Sequence, residues 1–203
     1  MALSQEFDLT KVSGAVTFKY RTWYDLEENY DFAYLSASED GKTWKILKTP
    51  SGTDKNITGA NLGWGYTGAS GKWVDEQVDL SAYAGKKVQL RFDYVTDAAV
   101  NGRGMMIDDI AIPEINYQSD LEKDDGGWKG EGFVRVANKL PQTFRVTLIK
   151  IGAQTTVEAL PLDETQHGSV KLDLGSGVDK VVVVVSGTTR FTTEEAGFNI
   201  SVH

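Results

Sequence analysis

Carboxylate side chains are concentrated in one short segment of this 203-residue sequence, at residues 25–31. Asp25, Glu27, Glu28 and Asp31 lie there within seven residues, together with one amide side chain. Calcium takes about six to eight oxygen ligands in a flexible geometry, and carboxylate oxygens are among those that it prefers. The segment therefore predicts a calcium site, and an ordinary solvated acidic loop is the alternative interpretation.

A second acidic pair, Asp108 and Asp109, interrupts an otherwise apolar stretch at residues 106–112. Successive side chains of a strand point to opposite faces, so one of these carboxylates would face the same side as the buried residues. A buried carboxylate is costly unless it is paired or bound to a metal. We therefore expect Asp108 to be a metal ligand and Asp109 to point outward; a strand-end cap is the alternative for Asp108.

The remaining residue types exclude several kinds of active site. The sequence has no cysteine and only two histidines, His167 in a polar turn and His203. Thiolate catalysis, cysteine zinc sites and a three-histidine zinc site therefore cannot be built. No Gly-x-Ser-x-Gly elbow precedes a helix, and residues 101–104 (NGRG) lack the Lys-Ser/Thr of a phosphate loop. An enzyme that uses a pair of carboxylates, as glycosidases do, remains one alternative.

The charge of the chain argues against nucleic acid and membranes as partners. The net charge is −8 and the isoelectric point is about 4.8, which repels phosphate backbones and anionic lipid surfaces. The longest apolar run, residues 181–185, is far shorter than the roughly 20 residues of a membrane helix. Residues 1–5 have neither a basic region nor an apolar one, so the protein is either cytoplasmic or exported by a signal that lies upstream.

Alternation of apolar and polar residues with period 2 dominates the sequence and predicts an all-β protein. The alternation is clearest at residues 16–21, 87–92 and 144–148. No window of a dozen residues shows helical spacing of apolar residues. Asp40 and Gly41 stand between two strand-like segments, and Asp-Gly supplies the positive φ angles of a tight hairpin. We therefore expect a β-hairpin at this position.

Residues 50–71 contain six glycines and are expected to form a long loop. Trp64 and Tyr66 lie in this loop, and Trp73 follows it. If these rings are exposed, they could stack on a glycan, since aromatic side chains offer large flat apolar faces. The alternative is that they close the hydrophobic core.

A polar, glycine-rich break at residues 117–132 separates two strand-rich blocks. We place the domain boundary there and expect a first β-sandwich over residues 1–116 and a smaller one over residues 117–203. Leu121 and Trp128 are apolar residues within the break, so they are expected to be buried beside or between the domains.

An ordered set of segments resembles the region that follows the catalytic domain in immune inhibitor A-type (M6) metallopeptidases. In the first block these segments are residues 23–27 (WYDLE), 30–34 (YDFAY), 38–44 (SEDGKTW), 68–73 (GASGKW), 79–86 (DLSAYAGK) and 95–102 (VTDAAVNG). In the second block they are residues 127–128 (GW), 132–135 (GFVR) and 138–142 (NKLPQ). The resemblance therefore covers nearly the whole chain, although the zinc helix motif of the family is absent from it.

The resemblance implies a MAM-like or carbohydrate-binding-like jelly roll followed by a small β-domain, both secreted and without catalytic activity. The expected partner is the catalytic domain of the same longer protein, or a glycan or protein on an extracellular surface, and the chain is expected to be a monomer. The rival function is an extracellular glycan- or protein-binding module that is independent of any protease.

A jelly roll also suggests how the two acidic segments could meet, because its second and last strands can lie side by side. Magnesium prefers to keep several of its waters, so calcium is the better fit to such a site. The predicted side-chain ligands are Asp25, Glu27, Asp31 and Asp108, with Asp97 in reserve because it opens the loop before the last strand. Glu28 and Asp109 are expected to point outward.

Overall fold

The structure is a computed structural model that describes residues 1–136, 142–175, 177–190, 192 and 195–202. The chain divides into two compact units, Met1–Arg135 and Val136–His203. Within the described residues the regular structure is almost entirely strand, and the only helical turns are short 3-10 segments at Ser81–Tyr83 and Pro113–Ile115. The prediction of an all-β protein is therefore confirmed.

All strand pairs are antiparallel, as expected for a chain whose strands alternate between buried and exposed residues. The strands of the first unit are β1 (Ala2–Asp8), β2 (Thr17–Asp25), β3 (Phe32–Ser38), β4 (Lys45–Ile46), β5 (Gly65–Tyr66), β6 (Val74–Asp79), β7 (Lys87–Val95), β8 (Gly104–Ile112), β9 (Tyr117–Ser119) and β10 (Lys129–Glu131). Those of the second unit are β11 (Phe144–Gly152), β12 (Thr156–Leu160) and β13 (Val178–Gly187).

The first unit is a sandwich of two sheets. The larger sheet has strand order β10-β1-β7-β3-β4, with β5 also paired to β3, and the smaller sheet has order β6-β2-β8-β9. The long strands β1, β2 and β3, and later β6, β7 and β8, alternate between the two sheets, a winding typical of jelly rolls. Neighbouring strands of one sheet are therefore often far apart in sequence, as β2 and β8 are.

Aromatic side chains fill the space between the two sheets. Phe18 and Tyr20 of β2 are almost fully buried and pack against Phe92 of β7, with ring centroids 6.1 and 5.0 Å away respectively. Trp128 is 5% exposed, and its ring lies 5.7 Å from that of Phe92. Burying an aromatic side chain of this size contributes about 1.5–3 kcal/mol, so these contacts are a main source of the stability of the unit.

The first unit extends beyond the expected boundary at residue 116. Strand β9 pairs with β8, and β10 pairs with β1 in the other sheet. Trp128, expected beside the junction, is part of the core of the first unit, with its ring 5.9 Å from that of Phe7. The polar break therefore completes both sheets of the first unit, and the division of the structure falls after Arg135.

The second unit contains one sheet of order β12-β11-β13 in the described residues. Leu148, at the middle of β11, is 2% exposed, and the five consecutive valines of β13, residues 181–185, pair with residues 146–150 of β11. A single three-stranded sheet is therefore present in the described part of this unit, and the expected second sandwich stays a prediction.

Candidate metal centre

Three carboxylates of the first unit meet where the turn between β2 and β3 approaches the loop between β7 and β8. Glu27, Asp31 and Asp97 each place one oxygen within 4.8 Å of the others. Asp31 is fully buried, Glu27 is partly buried and Asp97 is exposed. All three were among the residues predicted as metal ligands, and the cluster is a set of hard oxygen donors that could hold a metal ion.

The turn that connects β2 to β3 positions the first two carboxylates. The backbone N–H of Asp31 donates to the carbonyl oxygen of Glu27 at 3.0 Å, which closes the turn. Asn29 lies within it at a φ of 67°, a left-handed conformation that asparagine tolerates better than most residues. Thr67 fastens the turn from outside: its Oγ1 accepts from the Asn29 N–H at 2.8 Å and donates to the Glu27 carbonyl at 3.2 Å.

The carboxylate of Asp31 is held by two donors from the end of β7 and the residues that follow. The Tyr94 hydroxyl donates to Asp31 Oδ2 at 3.2 Å, and the backbone N–H of Asp97 donates to Oδ1 at 3.1 Å. Burial and the neighbouring Asp31 charge raise the pKa of Tyr94 to about 12, so its hydroxyl remains a donor at neutral pH. These bonds fix the direction of Asp31 before any ion binds.

The carboxyl group of Glu27 lacks a hydrogen-bond partner for one of its oxygens in the described part of the chain. Its Oε2 is buried and has no hydrogen-bond partner among the described residues. Burial, followed by the negative charges of Asp97 and Asp31, raises the pKa of Glu27 above its usual value. A cation bound between the three carboxylates would remove this repulsion, whereas without a cation the cluster opposes folding.

The loop between β7 and β8 carries Asp97 and packs directly against the acidic turn. A Cβ atom added to Gly102 would lie 2.0 Å from the carbonyl oxygen of Asp25 and 2.9 Å from the backbone nitrogen of Leu26. Backbone therefore touches backbone at this point, and only glycine fits. The contact holds the loop close to the turn and keeps Asp97 beside Asp31.

Asp25 lies at the end of β2 and is not one of the three clustered carboxylates. Its Oδ2 is 3.9 Å from Arg103 Nε, and both side chains are substantially exposed. Asp25 is near enough to contribute to the raised pKa of Tyr94, although less than Asp31 does. The structure therefore places Asp25 beside the cluster rather than within it.

Asp108 is separated from the cluster by strand register. Strands β2 and β8 are neighbours, as expected, but Asp108 pairs with Arg21, whereas Asp25 pairs with Gly104. Four residues along a strand correspond to about 13 Å. The expectation that Asp108 reaches the same ion as Asp31 does not agree with this register, since the pairing fixes where each residue lies along the strand.

A β-bulge explains why neither acidic residue of β8 is forced into the core. Arg21 pairs with Asp108 and Lys19 pairs with Ala111, so the single residue Tyr20 of β2 lies opposite two residues of β8, Asp109 and Ile110. Asp109 adopts a φ of 49°. The extra residue resets the alternation, so that Ile110 is buried while Asp109 lies 3.5 Å from Arg21 on the outer side. The Asp108 side chain accepts a hydrogen bond from the Asp109 N–H at 2.8 Å.

The three aromatic residues proposed for ligand stacking have different environments. Tyr66 is fully buried and packs on Tyr24 with ring centroids 5.1 Å apart, so it belongs to the core and offers no face to a ligand. Trp73 is 37% exposed and Trp64 is partly buried. One face of each indole is covered by a cation, Arg21 at 5.7 Å for Trp73 and Lys48 at 4.2 Å for Trp64.

The sequence analysis missed a second buried carboxyl group, that of Glu76 on β6. Glu76 is 1% exposed, its Oε2 lies 3.5 Å from the Ser51 N–H nitrogen, and its Oε1 has no partner among the described residues. Burial and then the charge of Glu76 raise the pKa of the neighbouring Tyr66. The sequence does contain a sign of this burial, because Glu76 alternates with Val74 and Val78 along β6 and so lies on the same face as these two valines.

Comparison with known proteins relates the first unit to a described domain family. The family model of the immune inhibitor A-like MAM domain matches residues 1–138. Immune inhibitor A of Bacillus thuringiensis subsp. alesti is 33% identical over 120 residues, which are 57% of this chain and 16% of that protein. Bacillopeptidase F of Bacillus subtilis strain 168 is 27% identical over 111 residues, or 55% of this chain and 7% of that protein.

A third relative, the pre-pro-metalloprotease PrtV of Vibrio cholerae, is 29% identical over 110 residues, covering 54% of this chain and 11% of its own length. The fold and the match thus define a β-sandwich domain of a kind that also occurs within named proteases. The chain belongs to the immune inhibitor A-like MAM domain family. The matched region is only 7–16% of each relative, and the family that it matches is described as a MAM domain and not as a catalytic domain.

No helix in the described part of the chain is long and apolar enough to span a membrane.

Proposed function

We propose that this chain is the accessory region of a secreted M6-type metallopeptidase or related exoprotein, and that it binds a structural calcium ion. The observation that carries the accessory role is the match of residues 1–138 to a MAM domain found within named proteases. The favoured partner is the catalytic domain of the same longer protein, acting in cis, with the region itself monomeric and extracellular.

The proposed calcium ligands are Glu27, Asp31 and Asp97. Three carboxylates provide a strongly negative site of oxygen donors only, which suits calcium; zinc prefers nitrogen and sulfur, and magnesium keeps its waters. Backbone oxygens and water would complete the coordination. An ion at this position would cross-link the turn before β3 to the loop after β7, and it would stabilise the fold without taking part in catalysis.

A glycan- or protein-binding module is the second candidate function. The observation in its favour is the partial exposure of Trp73, which keeps one face of a large aromatic ring near solvent. Tyr66 cannot contribute, because it is buried. The cations over Trp64 and Trp73 leave less aromatic surface for a sugar, which is why the accessory role is preferred.

Thermal unfolding with calcium and with EDTA tests the metal site. A ligand that binds only the native state stabilises it by about 2.7 kcal/mol at a hundredfold excess over Kd, so the midpoint should rise clearly in calcium. Asp31→Asn should abolish this rise, whereas Asp108→Asn, a matched change outside the cluster, should keep it. An unchanged midpoint in EDTA, with no metal in elemental analysis, would leave the cluster as a solvated acidic turn.

Two experiments test the accessory role: sequencing of the reading frame upstream of this chain, and hydrolysis assays on the purified chain. A His-Glu-x-x-His motif encoded upstream in the same reading frame would support a metallopeptidase parent, and a different upstream domain would contradict it. The purified chain should hydrolyse neither casein nor common polysaccharides. Reproducible turnover that disappears on mutation of Asp31 or Asp97 would overturn the proposal.

A further inference from the structure

The loop between β7 and β8 contains an asparagine followed by glycine, Asn101 and Gly102. Asn101 is the only asparagine of the sequence that glycine follows. The amide carbon of an asparagine side chain and the backbone nitrogen of the next residue can close a five-membered ring. A side chain on that next residue obstructs the approach, and glycine has none. The pair is therefore the position in this sequence where ring closure meets the least steric hindrance.

The structure leaves both reacting groups accessible. Residues 95–103 are all exposed, and residues 101 and 102 have no regular secondary structure. Neither the side chain of Asn101 nor the backbone N–H of Gly102 makes a hydrogen bond within the described residues. The preceding anchor of the loop is the Ala99 N–H, which donates to Asp97 Oδ1 at 2.8 Å. The amide and the nitrogen can therefore turn towards each other without breaking a hydrogen bond.

We propose that Asn101 is a site of spontaneous deamidation. The backbone nitrogen of Gly102 attacks Cγ of Asn101, so that an N–Cγ bond forms and the nitrogen loses its proton. The Cγ–Nδ2 bond breaks, and Nδ2 leaves as ammonia with that proton. Water then adds to either carbonyl carbon of the resulting succinimide and breaks its bond to nitrogen, which regains a proton. Opening at Cγ gives aspartate, and opening at the main-chain carbonyl carbon gives isoaspartate.

Isoaspartate at this position disturbs the contact between the loop and the acidic turn. The main chain of isoaspartate passes through Cβ, so it is longer by one carbon atom immediately before Gly102. Gly102 packs against backbone, because a Cβ atom added to it would lie 2.0 Å from the carbonyl oxygen of Asp25. The product also adds a negative charge to the loop that carries Asp97. The modification therefore loosens the loop from the turn, and this effect does not depend on the proposed calcium ion.

Peptide mass spectrometry of the incubated full-length chain tests the modification. The chain is held in EDTA at mildly alkaline pH, and the mass increase from amide to carboxyl is followed at each asparagine. Asn56 is the internal control: it is also exposed, but β-branched Ile57 follows it, and its Oδ1 accepts from the Asn61 N–H at 3.0 Å. Asn101 should react at least about tenfold faster, because glycine offers no steric barrier. Equal rates at the two sites would overturn the proposal.

Thermal unfolding in EDTA tests the consequence for the loop. The isoaspartate form, separated by chromatography, should melt about 2 °C or more below the fresh wild type. Asn101→Gln, incubated in parallel, should keep its midpoint, since its longer side chain closes a ring much more slowly. Fresh Asn101→Asp carries the added charge on a backbone of normal length, so it should melt above the isoaspartate form. An isoaspartate form as stable as the fresh wild type would contradict the loosening of the loop.

Discussion

The Tyr94 hydroxyl and the Asp31 carboxylate form a hydrogen bond of 3.2 Å that joins the end of β7 to the residue preceding β3. Asp31 is fully buried, so this bond satisfies an oxygen that has little access to water. The same tyrosine has its pKa raised to about 12 by burial and by Asp31, and it therefore remains protonated when the carboxylate is charged. The bond gives the acidic cluster a defined shape that does not depend on a bound ion.

Replacing Tyr94 with phenylalanine should destabilise the protein by about 1–3 kcal/mol, because a buried acceptor loses its donor while the ring is kept. Urea denaturation in EDTA measures this change without a contribution from calcium. Tyr83→Phe is the control, since the Tyr83 hydroxyl makes no hydrogen bond within the described residues. Equal losses in the two variants would show that the effect comes from the ring environment and not from Asp31.

The pH dependence of stability should differ in sign with and without calcium. The pKa of Glu27 is raised above its usual value of 4.5 by burial and by Asp97 and Asp31. In EDTA, folding favours the protonated form of Glu27. The group therefore contributes fully to the free energy of unfolding below its pKa in the unfolded state, and this contribution is lost as the pH rises through its pKa in the folded state. Glu27→Gln should therefore be more stable than the wild type at neutral pH in EDTA, and the difference should shrink towards pH 4.5.

In saturating calcium the wild type should instead be more stable than Glu27→Gln at neutral pH. A metal ligand must be deprotonated, so calcium stabilises the wild type at neutral pH and loses this effect on acidification. Denaturation curves for both proteins at several pH values, with and without calcium, give the comparison. If Glu27→Gln were less stable than the wild type even in EDTA, the carboxylate would not be under repulsion.

Alkaline pH should destabilise the first unit through Tyr20 and Tyr66. Their hydroxyl oxygens lie 2.5 Å apart, and burial raises the pKa of both above the ordinary value of 10.0. The unfolded tyrosines ionise near that pH while the folded ones stay protonated, so stability falls as the pH rises above it. A spectrophotometric titration should show at least two of the eight tyrosines ionising only when the protein unfolds; normal titration of Tyr20 and Tyr66 would contradict the prediction.

Gly102→Ala should weaken both stability and calcium affinity. The added methyl group would lie 2.0 Å from the carbonyl oxygen of Asp25, so the loop that carries Asp97 must move. A clash of this kind typically costs about 1–3 kcal/mol. Gly187→Ala is the control, because its Cβ would meet only one atom, at 3.9 Å. Calorimetric titration with calcium should show weaker binding for Gly102→Ala alone.

The features that sequence analysis predicted best depend on local interactions. The hairpin at Asp40 and Gly41 is an example: Gly41 has a φ of 69°, and Asp40 Oδ1 accepts from the N–H groups of Lys42 and Thr43 at 2.8 and 2.7 Å. These bonds, the Thr43 one first, lower the pKa of Asp40 to about 2. Residues that determine such a turn lie next to one another in the sequence, so the pattern contains the necessary information.

The features that it did not predict depend on pairing between distant segments. Alternation suggested that one of Asp108 and Asp109 would face inward, but the bulge in β8 is set by its register with β2 and is not visible in either strand alone. The adjacency of β2 and β8 followed from the jelly-roll resemblance, yet the four-residue offset that separates Asp108 from Asp25 did not. Trp128 was expected to be buried beside or between the domains, but the polar composition at residues 117–132 concealed that it packs inside the core of the first unit.

The pairing of β1 with β10 also has a consequence for synthesis. Strand β1 lies between β7 and β10, and Trp128 precedes β10 immediately, so the first strand of this unit to be synthesised gains its outer neighbour only from residues 129–131. Contacts between such distant parts of a chain form slowly, because a large loop must close before they are made. Strand β1 must therefore wait for nearly the whole first unit to be translated before its pairing is complete, and a nascent chain stopped at residue 116 would expose the core surface that Trp128 normally covers.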